Sequence, residues 1–386
     1  MKPRKIQKSF HLSLAILLVL SIALAACQKA GANEVWIAVA GPQTGENAQY
    51  GQFMAQAAQL AVDEINAAGG VNGKTLMLQV EDDQMDPKVA AIVAEKLAGD
   101  KKILAVVGHF SSTTSLAAIP VYDQNHMPMI TPSSTSPALS GISPYFFRAC
   151  VTDDLLGGLI GKYVVEELKP QTAAVMYAVS DGPIANKTRF IDVAEQNGIE
   201  IVADEAHQEN DKDFTAVLTR LASLSPDVVY LSTFYTPAAL IVKQAQEVGL
   251  TNATFIGMDG IYASDLITIG GEATEGVMAG GFFAADNPVP VAAAFIKAYR
   301  EKYGEDPEGY GANAYDIVKM IAQAMNNGAE TREAIQQYLD TLGRGLPPFE
   351  GVTGPTGFDA NHDPVKAAVI VRVENGKWSY VTTESP

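Results

Sequence analysis

Cysteine is almost absent from this chain of 386 residues, which has two, Cys27 and Cys150. If the first is spent at the amino terminus, as argued below, the second has no partner, and no disulfide framework or thiolate metal site can be built. The five histidines, His11, His109, His126, His207 and His362, show no zinc spacing. Phosphate-binding signatures are missing as well. Gly41-Pro42-Gln43-Thr44-Gly45 follows a strand-like run but lacks the lysine of a P-loop, and Gly69-Gly70-Val71-Asn72-Gly73 follows a helical pattern instead of a strand. There is no nucleophile elbow and no pair of catalytic carboxylates, so no cofactor or metal is called for. Positive charge is in short supply: 27 Lys and Arg stand against 44 Asp and Glu, for a net charge of −17. Such acidity argues against nucleic acid and anionic membrane surfaces as partners.

The amino terminus is the exception. Lys2, Arg4, Lys5 and Lys8 form a basic head before an apolar run of thirteen residues, Leu12 to Leu24. That run is too short to span a bilayer comfortably and matches a secretory signal. It ends in Leu24-Ala25-Ala26-Cys27, which resembles a lipobox, with small residues before a cysteine that is lipidated and becomes the new first residue. Residues 1–26 are therefore read as a lipoprotein signal peptide. Their removal takes away four cations and no acid, moving the net charge from −17 to −21. The product is expected outside the cytoplasm, periplasmic or on the cell surface, held to the membrane by the anchor alone.

The rest of the chain is too long for one core, so two domains are expected. Strand-like apolar runs at 35–40, 75–81, 103–107, 127–130, 173–179, 199–204, 228–231, 254–258 and 276–280 alternate with helical patterns. Phe53, Ala57, Leu60, Ala61 and Ile65 share one helical face, as do Leu155, Leu156, Leu159, Ile160 and Tyr163, and later Phe214, Val217, Leu218 and Leu221. This alternation predicts α/β architecture, with two parallel sheets in series and right-handed crossovers covering both faces.

Two loops carry the chemistry. Val106-Val107-Gly108-His109-Phe110-Ser111-Ser112-Thr113-Thr114 and Met129-Ile130-Thr131-Pro132-Ser133-Ser134-Thr135-Ser136-Pro137 are both apolar runs that empty into hydroxyl-rich segments. A helix is predicted from Ser112 to Asn125, with N-cap chemistry at its start. Its free amides and positive dipole end would face the loop. Two such loops at the carboxyl ends of strands in one sheet converge on a crevice where α/β folds bind ligands, and form a cradle for a small anion, most economically a carboxylate. His109 beside them is read as a positioning residue.

These features resemble the type I periplasmic solute-binding proteins, and among them the branched-chain amino-acid receptors of ABC importers. The resemblance runs from about Val35 to Val381. It is carried by Ile37-Ala38-Val39-Ala40-Gly41 with Gln49-Tyr50-Gly51, by Asp63-Glu64-Ile65-Asn66-Ala67-Ala68-Gly69-Gly70, by Asp82-Asp83 with Asp86-Pro87, by both hydroxyl loops, and by Phe255-Ile256-Gly257-Met258-Asp259-Gly260. It implies two Rossmann-like lobes with parallel sheets joined by a three-crossover hinge. Residues 34–151 and 281–352 would form lobe one, and residues 152–280 and 353–386 lobe two. It further implies that Ser112 binds a ligand carboxylate through its hydroxyl and amide and that the Thr135 amide joins it. The Ser133 carbonyl, the Thr135 hydroxyl and the Asp259 carboxylate would hold the ammonium. Ser134 belongs to the same set, and Tyr50 and Tyr310 would wall the side-chain pocket.

Two departures qualify the resemblance. Where relatives carry a tyrosine in the second lobe, this chain reads Ser180-Asp181-Gly182-Pro183-Ile184-Ala185, which predicts a roomier pocket and wider selectivity unless Phe234 or Tyr235 fills the gap. The loop disulfide of some relatives is absent, Met85 and Ser111 standing in those places. The expected function is that of a monomeric, non-enzymatic, lipid-anchored receptor that delivers an α-amino acid, aliphatic or branched-chain, to an ABC permease. The same fold binding an amide, urea or aromatic acid is the rival reading, with Asp259 deciding between them. A secreted α/β hydrolase using Ser112 and His109 would need a base within reach of the hydroxyl, and a signalling ectodomain would need a further membrane segment.

Overall fold

The computed structural model describes residues 33–287 and 290–386. The signal peptide and Cys27 lie outside the described residues. Strands β1 (Glu34–Gly41), β2 (Thr75–Asp82), β3 (Ile103–Gly108), β4 (Met129–Thr131) and β5 (Phe146–Arg148) build a first sheet in the order β2-β1-β3-β4-β5, parallel throughout. Its connections run through α1 (Ala48–Ala67), α2 (Pro87–Gly99) and α3 (Ser112–Gln124). Helix α1 buries the apolar face predicted for it, with Phe53, Ala57, Leu60, Ala61 and Ile65 all in the core.

After α4 (Asp153–Tyr163), strand β6 (Thr172–Ala178) opens a second sheet. It continues through α5 (Asp181–Gln196), β7 (Glu200–His207), α6 (Thr215–Leu224), β8 (Val228–Ser232), α7 (Tyr235–Glu247), β9 (Thr254–Gly257), α8 (Ser264–Gly270) and β10 (Met278–Gly281). The chain then forms α9 (Ala293–Tyr303), α10 (Gly309–Asn326) and α11 (Arg332–Thr341), and a small ribbon of β11 (Phe349–Gly351) and β12 (Gly354–Thr356). It ends in β13 (Ala368–Glu374) and β14 (Lys377–Glu384). The second sheet is ordered β14-β13-β10-β9-β8-β6-β7.

Five strands of that sheet repeat the topology of the first: β7-β6-β8-β9-β10 has the same relative order as β2-β1-β3-β4-β5, and all its pairs are parallel. The two added strands differ from the expected all-parallel sheet, since β13 pairs antiparallel with β10 and β14 antiparallel with β13. A hairpin needs no crossover helix, so the alternation rule that finds parallel strands passes over it.

Helix α10 packs along α1, and Gly311 permits the approach, since a Cβ there would stand 3.0 Å from the Phe53 carbonyl oxygen. Helices α9 to α11 thus return to the side of the first sheet, and β13 and β14 rejoin the second. Both sheets place the carboxyl ends of their parallel strands at the cleft between lobes. The reversal of strand order between β1 and β3 marks the switch point. Gly108 ends β3 there at φ +143°, and a Cβ would fall 2.2 Å from the Ala40 carbonyl oxygen of β1, so no side chain fits.

Candidate functional site

The first hydroxyl loop leaves Gly108 and caps α3. The Ser111 hydroxyl accepts from the Thr114 amide at 3.2 Å, which leaves the first-turn amides of Ser112 and Thr113 without intrahelical partners. The Ser112 hydroxyl accepts from the Ser136 amide at 3.1 Å, linking the first loop to the second.

The second loop is held from below by buried polar groups. The Thr131 hydroxyl donates to the His109 carbonyl at 2.8 Å and accepts from the Ser134 amide at 2.9 Å. The Ser133 hydroxyl donates to the Phe110 carbonyl at 2.8 Å. Fully buried Arg148 of β5 donates to the carbonyls of Ser134 and Ser136 at 3.0 and 3.1 Å. Among the described residues, the Ser133 carbonyl and the Thr135 amide have no protein partner. A rigid loop with one free acceptor and one free donor is prepared to bind something that carries both.

Ser112, Ser133, Thr135, Phe234, Asp259 and Tyr310 meet on one small cavity of about 20 Å³. Phe110, Ser180, Gly182, Pro183 and Met258 share its wall. Asp259 sits in the turn after β9, buried to 3 % exposure, and accepts from the Tyr310 hydroxyl at 3.1 Å through Oδ2. Its Oδ1 has no partner. Burial raises its pKa to about 7, against the opposing pull of the Tyr310 hydroxyl and the amides of Asp259 and Gly260.

Tyr50, Ser134 and Tyr235 are not brought to the cavity wall. The Tyr50 ring stacks on Phe110 at 4.2 Å, and its hydroxyl donates to the Gly260 carbonyl of the opposite lobe while accepting from the Tyr235 amide. Ser134 is spent inside the loop, on the carbonyls of His109 and Phe110 and on the Ser115 hydroxyl. The Tyr235 hydroxyl donates across the lobes to the Glu46 carbonyl at 2.6 Å. The ambiguity over the second-lobe aromatic thus resolves toward Phe234, whose ring lies against Gly260 and edge-on to Tyr50. The roomier pocket expected from Gly182 is not seen in this conformation, because Phe110, Phe234, Met258 and Tyr310 close on the space.

Further bonds span the lobes. The Thr113 hydroxyl donates to Asp181 at 3.0 Å, the Asp265 amide donates to the Gln49 side chain at 2.8 Å, and Lys212 pairs with Glu46 at 2.5 Å. The molecule is closed. Ser112 and His109 are not assembled as nucleophile and base. The His109 ring nitrogens lie 2.6 Å from Asp83 and 3.1 Å from the Tyr122 hydroxyl, and the His109 carbonyl receives Thr131. Met85 and Ser111 remain neighbours at the cleft mouth without a disulfide, and Ser111 serves there as a cap.

Sequence reasoning missed Phe110 of the first hydroxyl loop, because a lone aromatic among hydroxyls reads as core. It also missed Asp153. This residue opens α4, is fully buried, and has no hydrogen-bond partner on either carboxylate oxygen. The only signal was an Asp-Asp pair before an apolar helical face, which reads as helix N-terminal charge.

Comparison with known proteins agrees with this geometry. A family profile described as periplasmic binding protein matches residues 34–377. The leucine-, isoleucine-, valine-, threonine- and alanine-binding protein of Pseudomonas aeruginosa is 33% identical over 89% of this chain and 91% of its own length. Leu/Ile/Val-binding protein homolog 1 of Brucella abortus is 31% identical, with 93% of this chain and 97% of its own covered. The branched-chain amino acid transporter substrate binding protein of Streptococcus pneumoniae, solved in complex with isoleucine, superposes with a TM-score of 0.85 at 33% identity, over 91% of this chain and 99% of that one. From strand order, closed cleft and kinship together, this chain belongs to the periplasmic binding protein family, in its type I branch of branched-chain amino-acid receptors of ABC importers.

Proposed function

We propose that this protein is a lipid-anchored, extracytoplasmic receptor that captures an α-amino acid between its lobes and delivers it to an ABC permease. The observation that carries the reading is the set of unpartnered atoms at the cleft: the Ser133 carbonyl, the Thr135 amide and Asp259 Oδ1, beside the free first-turn amides of α3. Donors and acceptors line one cavity, as a zwitterion requires. Burying its two charges unpaired would cost several kcal/mol each, so both sets must be present. Aliphatic side chains suit the surrounding Phe110, Phe234, Met258 and Tyr310. The lobes are bounded at 151/152, 280/281 and 352/353, and the receptor acts as a monomer without enzymatic turnover. Binding closes the hinge because the ligand touches both lobes only in the closed state.

Thermal-shift screening against amino acids, their amides and aromatic acids tests this reading, since a ligand at about 100 times its Kd stabilises by about 2.7 kcal/mol. Aliphatic amino acids are expected to give the large shifts. Shifts confined to amides or aromatic acids would replace the reading with its rival. The anchor rests on Leu24-Ala25-Ala26-Cys27, and Cys27→Ser is expected to release the protein from membranes with ligand binding intact. A mutant that still sediments with membranes would refute lipidation at that residue.

A further inference from the structure

Lys366, just before β13, is a buried ammonium that the cleft does not use. It is 8 % exposed, and burial pulls its pKa down to about 8 while Asp316 holds it up. Lysine is almost never buried unless it is paired. Here the Nζ donates one hydrogen bond, to the Thr353 hydroxyl at 2.9 Å, and reaches Asp316 only through it. Asp316 is satisfied without the lysine, since it accepts from the Val352 and Thr353 amides at 2.8 and 2.9 Å and from the Thr353 hydroxyl at 2.6 Å. An ammonium has three donors to place. Among the described residues, only Thr353 receives one of them.

This lysine lies on the wall of a cavity of about 360 Å³. The walls come from three places: Phe282 and Phe283 follow β10, Val352 to Pro355 belong to the β11-β12 ribbon, and Val369 and Thr383 to β13 and β14. They are mostly apolar, with Phe282, Val352, Pro355, Val365 and Val369 against the hydroxyls of Thr353 and Thr383 and the side chain of Asn287. Among the described lining residues Lys366 is the only charge, and no acid shares the wall. A cavity of this size, apolar with a few polar groups, has the form of a small-molecule site. It shares no lining residue with the amino-acid cavity.

We infer that this cavity is a second ligand site, which takes a small monocarboxylate with an apolar body, the carboxylate on Lys366 Nζ and the body against Phe282, Val352 and Val369. A carboxylate supplies the acceptors that the ammonium lacks, on a wall with no acid to repel it. A dianion such as phosphate would bring a second charge to apolar walls with no cation to meet it. An uncharged apolar molecule would cover the walls and bury the ammonium still unpaired. The site goes beyond the amino-acid reading and does not depend on it.

The test is an NMR titration of the methyl-labelled receptor, saturated with L-leucine so that the cleft is occupied, with hexanoate and with hexan-1-ol, its uncharged counterpart. Hexanoate is expected to shift the methyls of Val352, Val365 and Val369 and to bind more tightly than the alcohol by roughly tenfold or more. Lys366→Met keeps the length of the stem and removes the charge, and is expected to weaken hexanoate by roughly tenfold or more while leaving hexan-1-ol no weaker than before. Thr383→Glu places an acid on the wall at an exposed position, and is expected to fold and to weaken hexanoate severalfold, whereas Thr383→Gln is not. If Lys366→Met fails to fold, the Thr383 pair decides alone. Equal binding of hexanoate and hexan-1-ol, unchanged hexanoate affinity in a folded Lys366→Met or in Thr383→Glu, or shifts confined to other methyls overturns the inference. A receptor that does not bind L-leucine would instead overturn the functional reading, and the Lys366 and Thr383 variants would still decide this one, since neither residue lines the cleft.

Discussion

The loops of the first sheet and those of the second leave strands in the same relative order, yet they bring different atoms to the cleft. After β3 and β4 come hydroxyls and unpaired backbone groups, tied underneath by Thr131, Ser134, Arg148 and His109. After β6 and β9 come a side-chain-free position at Gly182 and a carboxylate at Asp259 that is held by a single hydroxyl. The first face is tied together by its own hydrogen bonds and offers both donors and acceptors. The second adds a charge whose ionisation depends on company. This division suits capture by one lobe followed by closure of the other, since the site's polar demands are met only when both faces meet.

The difference can be broken at either face. The largest effect is expected from Asp259→Ala, which leaves an ammonium with one charged partner fewer and should weaken amino-acid binding by about 2 to 5 kcal/mol. Calorimetry showing unchanged affinity would remove the second face from ammonium recognition. Ser112→Ala deletes a hydroxyl from the carboxylate cradle and keeps the α3 amides, so a smaller loss of about 1.5 to 3 kcal/mol is expected from titration of the same ligand. A loss equal to that of Asp259→Ala would show that the backbone amides contribute little.

The mildest effect comes from pH. Asp259 is raised to about 7, so below that value the free receptor holds a proton that an ammonium must expel. Affinity is therefore full above about pH 7 and declines as the pH falls through it, by roughly tenfold or about 1.4 kcal/mol between pH 8 and pH 6. The same shift acts on folding with the opposite sign. A carboxyl that binds its proton more tightly when folded contributes stability at low pH, which is lost as the pH rises from the ordinary carboxylate range through about 7. A titration series across this range with flat affinity would mean that Asp259 does not face the amine.

Much of this was legible in the sequence, for identifiable reasons. Strands β1, β3 and β8 are continuous apolar runs because both faces of a parallel sheet are covered, and α1 buries the stripe that its spacing announced. The two hydroxyl loops announced themselves by composition, and Ser112, Ser133, Thr135, Asp259 and Tyr310 do meet. What was hidden depends on the third dimension. Strand β5 is three residues long and carries the arginine that holds the second loop, and nothing local distinguishes Phe146-Phe147-Arg148 from a turn. Tyr50 and Tyr235 were expected on the wall, but the closed lobes spend their hydroxyls on the Gly260 and Glu46 carbonyls. The isolation of Asp153 could not be read either, since an acid at a helix start is ordinary until its neighbours are known to offer it nothing.

On this reading the cleft recognises a zwitterion, with amine and carboxylate held by different sets of atoms. Calorimetric titration of the wild-type receptor with L-leucine, L-leucinamide and 4-methylpentanoate at one pH above 7 tests it most directly. Tight binding of L-leucine is expected, with loss of roughly two orders of magnitude or more for each derivative, because either removal leaves buried charge or donors unpaired. Equal binding of L-leucine and either derivative would contradict it.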